Sequence, residues 1–596
     1  YPQNKNNVTN TDWDTWVQGN DGLKYRYDGT YGGVETRIDY QFIPMSNNTS
    51  NVARLFVDHV SFSMATTYDV TSKLTGCIIT TSPLGRLSIS EGYKCLGSFY
   101  GGGSLGKVAG PVKSTLTNCK VDGNVYGAGY SATLPTVNVM KNSFKKQPKY
   151  DQNLGAYLEA ELPETDFEYT WEHSDEVKND ATAIDKTNHI LYTTEDLTAL
   201  GKVTGTATLN IDGSTTVAGS VYGGGEESNV AGNTQVNITG GTITKNVFGG
   251  GKGSDDNFTC DKAMVGVNDD GACADPASNE NKDKGTKVTI SNGTVNGNVY
   301  GGGEVGRVEW NTQVEIGVGT GEGSFAPVIH GSVFGAGAGV ATHGYAALVR
   351  GNSTVTIQGN AKVLQNVYGG GEQATVGRYW VKGIPTTTCE GETQPTIPED
   401  LPVGMPYHQR RGGICKVVIQ GDAQIGPDDG GTEIAGHVFG AGKGVVPNFI
   451  ASGEGASQKM IKGDENNPDR LVNFDSEDAY LEFLQTLALV TNTDVTVGGG
   501  AKVKGSVYGG SESGYVQHNT NVLVSGGTIG TEEQGGAFYG NVYGGAKFSV
   551  VYGNTIVNIG KTAYTNQNQI KTDIHVHGNV FGGGEGNNTR YNAGRV

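Results

Sequence analysis

The sequence is poor in charge. Of 596 residues only 17% are Asp, Glu, Lys or Arg, fewer than a solvated disordered chain would carry. It is also poor in proline, with 17 residues, and its 95 glycines follow no Gly-X-Y period, so it is not a collagen. Basic residues are the minority, 43 against 61 acidic, for a net charge of −18. Nothing resembles a basic groove, which argues against nucleic acid as a partner. No apolar run approaches the roughly 18 residues that span a bilayer, so no transmembrane segment is expected. The seven cysteines include no CxxC, which argues against zinc. No P-loop, GxSxG, HExxH or Cys–His signature occurs. Helical periodicity is scarce. Its one clear instance is SEDAYLEFLQTLALV, with Ser476 as N-cap and Glu477 and Asp478 in the first turn.

What is abundant is one motif. GNVYGGGE at 297–304 has relatives along the whole chain, with the aromatic residue at Tyr100, Tyr126, Tyr222, Phe248, Tyr300, Phe334, Tyr368, Phe439, Tyr508, Tyr543 and Phe581. The shortest spacing is 26 residues, from 100 to 126 and again from 222 to 248. A second element precedes the motif: NTQVNI (233–238), GTKVTI (285–290), NTQVEI (311–316), NSTVTI (352–357), NTDVTV (492–497) and NTIVNI (554–559). Its alternation of apolar and polar residues is that of a strand with one buried face. A third apolar patch, as in GRVEW (306–310), lies between them.

Three short strands in a unit of about 26 residues predict an all-β chain, a parallel β-helix, right-handed by default. A propeller blade would need about 40 to 50 residues. The reading divides the chain into a β-rich N-terminal cap (1–75), first rungs (76–130), a β-rich insertion (131–200) and the main β-helix (201–596). Further insertions are expected near 253–284, 373–414 and 444–491.

Eleven tandem copies do not suit a nucleotide loop. The glycines are expected to turn a corner, where φ is positive or neighbouring rungs leave no room for Cβ. Tyr and Phe interchange, so the ring rather than the hydroxyl is expected to matter. Four residues after each aromatic from Tyr222 onward stand Glu226, Lys252, Glu304, Ala338, Glu372, Lys443, Glu512, Lys547 and Glu585. In parallel stacking these alternating signs form an attractive charge ladder, with Ala338 where Lys would fit.

Cys260 and Cys273 bracket one non-repeat segment, and Cys389 and Cys415 most of another. Each pair is a candidate disulfide stapling its own loop. An odd cysteine remains. Candidate catalytic or calcium-binding acids are Asp269, Asp270 and Asp275, or Asp428 and Asp429; all read more simply as polar loop residues. His575 and His577 share a strand face with no third ligand in view. No catalytic residue and no metal site is assigned, and the only cofactor kept in view is calcium.

GNVYGGGE, SVYGGSESGYVQH and FTCDKAMVGV resemble segments of very large glycine-rich repeat proteins of Bacteroidota, surface or adhesin-like proteins of unknown activity. The resemblance covers most of 95–596. It implies an extracellular location and a solenoid, and no catalytic residue. The chain starts at Tyr1 without Met or signal peptide, which reads as a processed secreted protein or a fragment. At the other end no cap follows Glu585, so either the natural chain continues or another subunit stacks there. The expectation is a non-enzymatic extracellular or cell-surface scaffold, a stalk or fibre subunit that associates end to end or meets a glycan or host surface. The alternative is a polysaccharide-binding or polysaccharide-cleaving β-helix, and a trimeric phage tailspike is third.

Overall fold

The computed structural model describes residues 70–131 and 200–596 apart from 77, 80–96, 105, 255–261, 268–272, 320–324, 342–343, 383–387, 398, 400–405, 446–449, 453–458, 465–466, 475–483, 532–539, 561–573 and 587–593. It also describes short strands at 17–18, 24–25, 143–148, 150–151, 156–157 and 167–172. The molecule is a parallel β-helix. Three parallel sheets of 11 strands each run the length of the coil. Rungs are numbered 1 to 11 here by their aromatic residue, from Tyr100 to Phe581.

Rung 5 shows how sequence makes a rung. Gly285–Ile290 alternates Val and Ile inward with Lys and Thr outward and forms the long strand. Thr294–Val295 is the second strand. Val299–Tyr300 is the third, at the corner, with both residues buried. Each strand pairs in register with its copy on the next rung, Val288 with Val314 and Ile290 with Ile316, Tyr300 with Phe334. Columns of Val and Ile thus fill the interior, nearly all of them fully buried. Each such side chain contributes roughly 1.5–3 kcal/mol by leaving water.

The expected third strand is placed differently. The patch around Val308 is not a sheet strand but a one-residue ladder of parallel bridges through Val108, Val203, Val230, Val265, Val308, Val349 and Val376. It continues where Leu489–Val490 pairs with Tyr515–Val516. The second sheet is instead built from two-residue strands such as Thr294–Val295.

The coil also begins earlier than expected: Val70–Thr75 already pairs with Val112–Thr117, inside the segment read as a cap. Of the rest of that segment only the antiparallel pair Val17–Gln18 and Lys24–Tyr25 is described. The insertion at 131–200 contains the antiparallel pair Ser143–Pro148 and Phe167–Glu172. The helix expected from Ser476, Glu477 and Asp478 falls largely outside the described residues. From Leu484 the chain makes a short turn into Leu489–Val490.

Insertions leave the coil at particular rungs. Between the motif and the Val ladder only four residue steps are needed in rungs 3, 5, 7 and 9, from Glu226 to Val230, Glu304 to Val308, Glu372 to Val376 and Glu512 to Val516. In rungs 2, 4, 6 and 8 the same gap holds an insertion, from Tyr130 to Val203, Lys252 to Val265, Ala338 to Val349 and Lys443 to Val490. Each insertion there is flanked by rungs that pass straight on.

Candidate functional site: the corner column and the insertion face

The eleven aromatic residues form one column. Consecutive ring centroids lie 4.6 to 4.9 Å apart and no pair of planes departs from parallel by more than 10°. The spacing is that of the strands beneath, so the backbone dictates the stack. Rings from Tyr126 to Tyr543 are buried.

The hydroxyls are not incidental, contrary to the expectation from Tyr/Phe interchange. Tyr100, Tyr222 and Tyr508 donate to Glu226, Glu304 and Glu585. Tyr300 donates to Glu372 at 2.6 Å and Tyr368 to Glu512 at 2.5 Å. In every case the carboxylate belongs to the rung two ahead. Rungs 4, 6 and 8, which lie between in three of these bonds, carry Phe248, Phe334 and Phe439. Across rungs 3 to 9 the motif therefore alternates between Tyr with Glu and Phe with Lys or Ala, VYGGGE against VFGGGK. That pairing within the motif is the signal by which the two-rung repeat could have been found. Burial first, and the partner carboxylate second, push the phenols of Tyr222 and Tyr300 well above their ordinary range. They remain neutral donors.

The charged residues meet as neighbours in part. Lys252 lies 2.8 Å from Glu226 and Lys443 lies 2.8 Å from Glu372. Glu304 bridges to Ala338, which carries no charge. Glu512 accepts from Tyr368. Lys547 donates instead to the Glu433 carbonyl at 2.8 Å.

Two further columns were not read from the sequence. Two residues before the aromatic, Asn or Ser accepts from the backbone N–H of the next rung. Asn246 accepts from Asn298 N at 2.8 Å, Asn298 from Ser332 N at 2.8 Å and Ser506 from Asn541 N at 3.1 Å. At the head of the long strand, Thr286, Thr312 and Thr493 donate to the carbonyls of Gly301, Gly335 and Gly509 at 2.5, 2.6 and 2.5 Å. The recurring N and T of GNVY and NTQV are these groups.

The corner glycines answer the second of the two reasons offered for them. Gly301 does not have positive φ. A Cβ there would sit on the carbonyl oxygen of Gly335, the same residue one rung on.

On the insertion face, Cys273 is bonded to Cys389, with Cα atoms 5.4 Å apart and a sequence separation of 116. This corrects both expected pairings. Neither loop is stapled to itself; the insertion after rung 4 is tied to the insertion after rung 7. Cys415 stands inside the long strand Ile414–Ile419, buried and free, with burial pushing its thiol up to about 12. Cys260 lies outside the described residues. Beneath this tie Trp310 is buried, with Lys284 4.4 Å and Arg378 5.0 Å from its ring. Glu309 takes Arg350 at 2.7 Å. Although burial opposes it, Arg350 and Arg307 hold the Glu309 carboxyl below the usual range. Asn311 donates to the carbonyls of Pro276 and Asn281 at 2.8 and 3.0 Å and so docks the first insertion on the coil.

The described candidate acids are engaged separately. Asp275 caps its own turn through Ala277 N at 2.9 Å. Asp428 pairs with Lys362 at 2.8 Å, while Asp269 and Asp270 lie outside the described residues. His575 and His577 stack with centroids 6.4 Å apart. Among the described residues no three His, Cys, Asp or Glu side chains come together as metal ligands would, and no helix is long and apolar enough to cross a membrane.

Comparison with protein-family models, with curated proteins and with solved structures finds no match.

Proposed function

We propose that this protein is a structural scaffold of the cell surface or extracellular space, a stiff rod that displays its insertions. One observation carries the reading. The side chains that recur at the corner are used up within the coil: the rings stack, the Tyr hydroxyls meet Glu, and Asn and Thr bond the neighbouring rung. A binding or catalytic surface built on the corner would instead leave those groups turned outward. The rod's variable chemistry is confined to its insertions, where binding residues are usually carried. The bond between Cys273 and Cys389 supports an oxidising compartment outside the cytosol.

Electron microscopy of the purified chain tests the shape. Eleven rungs at about 4.8 Å give a rod of roughly 50 Å, as isolated particles for a stalk or as filaments for a fibre subunit. A screen for released reducing ends or unsaturated sugars from host and plant glycans tests the activity. Robust turnover would sink the scaffold reading in favour of a polysaccharide lyase or hydrolase.

A further inference from the structure

Rung 8 breaks the Asn/Ser column. Its residue two before the aromatic is His437, between Asn366 of rung 7 and Ser506 of rung 9. His437 Nδ1 accepts from Ser506 N–H at 3.0 Å, as an Asn oxygen would. That fixes the ring proton on Nε2, which faces the Glu433 carbonyl at 3.1 Å. Lys547 Nζ donates to the same carbonyl at 2.8 Å, and Asn366 Nδ2 donates to the next one, Ile434 O, at 2.8 Å. Three side chains from rungs 7, 8 and 10 thereby hold the loop 426–436 against the corner. Ile434 stands at its surface, 75% exposed.

We propose that His437 makes this loop an acid-operated latch, closed while the imidazole is neutral and released when it is protonated. A second ring proton would sit on Nδ1, donor against donor with Ser506 N–H. The ring itself is buried, with the rings of Phe439 and Tyr508 each 5.9 Å away. Of the charged and titratable groups around it, Lys547 of rung 10 opposes an imidazolium. Glu433 of the loop turns its carbonyl to the ring. Glu585 of rung 11 interacts with Lys547 and Glu433, and Tyr508 is neutral. Burial first, and Lys547 second, push the imidazole down to about 4. The open loop, with an ordinary imidazole near 6.5, binds the proton more readily than the closed one. Closure is therefore at full strength above about pH 6.5 and weakens as pH falls toward 4.

Hydrogen exchange tests this on the whole chain. With intrinsic rates corrected for pH, the amides of Gly436, His437 and Ser506 should open about twentyfold more often at pH 5 than at pH 7, while those of rung 5 stay unchanged. His437→Asn restores the residue the repeat uses elsewhere and should abolish the pH dependence. Unchanged wild-type protection between the two pH values, or the same acid loosening in H437N, would overturn the latch. Should H437N fail to fold, the ring nitrogen shifts of 15N-histidine decide. A neutral Nε2–H tautomer at pH 7 that protonates near pH 4 supports the latch, and an Nδ1–H tautomer or an ordinary titration near 6.5 refutes it.

Discussion

Rungs 6 and 11 carry the same Val–Phe corner and differ in how far it is buried. Ile316, Val333 and Phe334 of rung 6 are 0%, 0% and 1% exposed, whereas Ile559, Val580 and Phe581 of rung 11 are 38%, 50% and 42% exposed. Neither rung has a core of its own. Each borrows half of its burial from the rung before and half from the rung after. The value of a side chain in this protein is therefore set by its rung's position along the coil rather than by its place within the motif.

The largest contrast should come from the ring column. Phe334→Ala opens the stack between Tyr300 and Tyr368 and should cost about 3–5 kcal/mol. Phe581→Ala, at a ring 42% exposed, should cost less, about 1 kcal/mol. Denaturant unfolding measures both, and equal losses would mean that Phe581 is as well covered in solution as Phe334. Next come the glycines. Gly301→Ala drives a methyl into the Gly335 carbonyl and should cost about 1–3 kcal/mol. Gly582→Ala, with nothing within 4 Å of its Cβ, should be close to neutral in the same measurement. A smaller effect separates odd from even rungs. Tyr300→Phe takes away the bond to Glu372, and Phe334→Tyr adds a hydroxyl whose partner two rungs on would be Lys443, not a carboxylate. Each should cost about 1 kcal/mol. If Phe334→Tyr stabilised the chain, the alternation would not be selected by hydrogen bonding. Last is the Lys252–Glu226 pair, with Lys252 partly exposed and Glu226 buried but also held by Tyr100, where Lys252→Met should cost about 1 kcal/mol and the loss should shrink only slightly at high salt.

The repeat made the coil legible. Val at alternate positions marked the long strand, and an aromatic recurring at a minimal interval of 26 residues marked the corner. Both signals are local, and stacking only copies them. The second sheet was not visible because a two-residue strand such as Thr294–Val295 is too short to show a period. The Tyr–Glu bonds are hidden in the sequence because partners such as Tyr300 and Glu372 are 72 residues apart and meet across an intervening rung. The disulfide was misjudged for a related reason. Cysteines close in sequence were matched, but Cys273 and Cys389 are brought together by two insertions leaving the same side of the coil. His437 is one of ten histidines, and no motif in the sequence sets it apart. Only its place in the Asn/Ser column shows what it replaces.

Because the hydroxyls of rungs 3, 5 and 7 find their carboxylates two rungs on, this stretch of the molecule has parity. Excising one rung between Tyr222 and Tyr508 would leave the strands and the ring column able to pair, yet it would set one hydroxyl against Ala338, Lys443 or Lys547 in place of its carboxylate. Excising two neighbouring rungs would restore the pattern. A chain of this kind can therefore be lengthened or shortened smoothly only in double steps, and its unit of inheritance is twice the unit that the eye finds in the sequence.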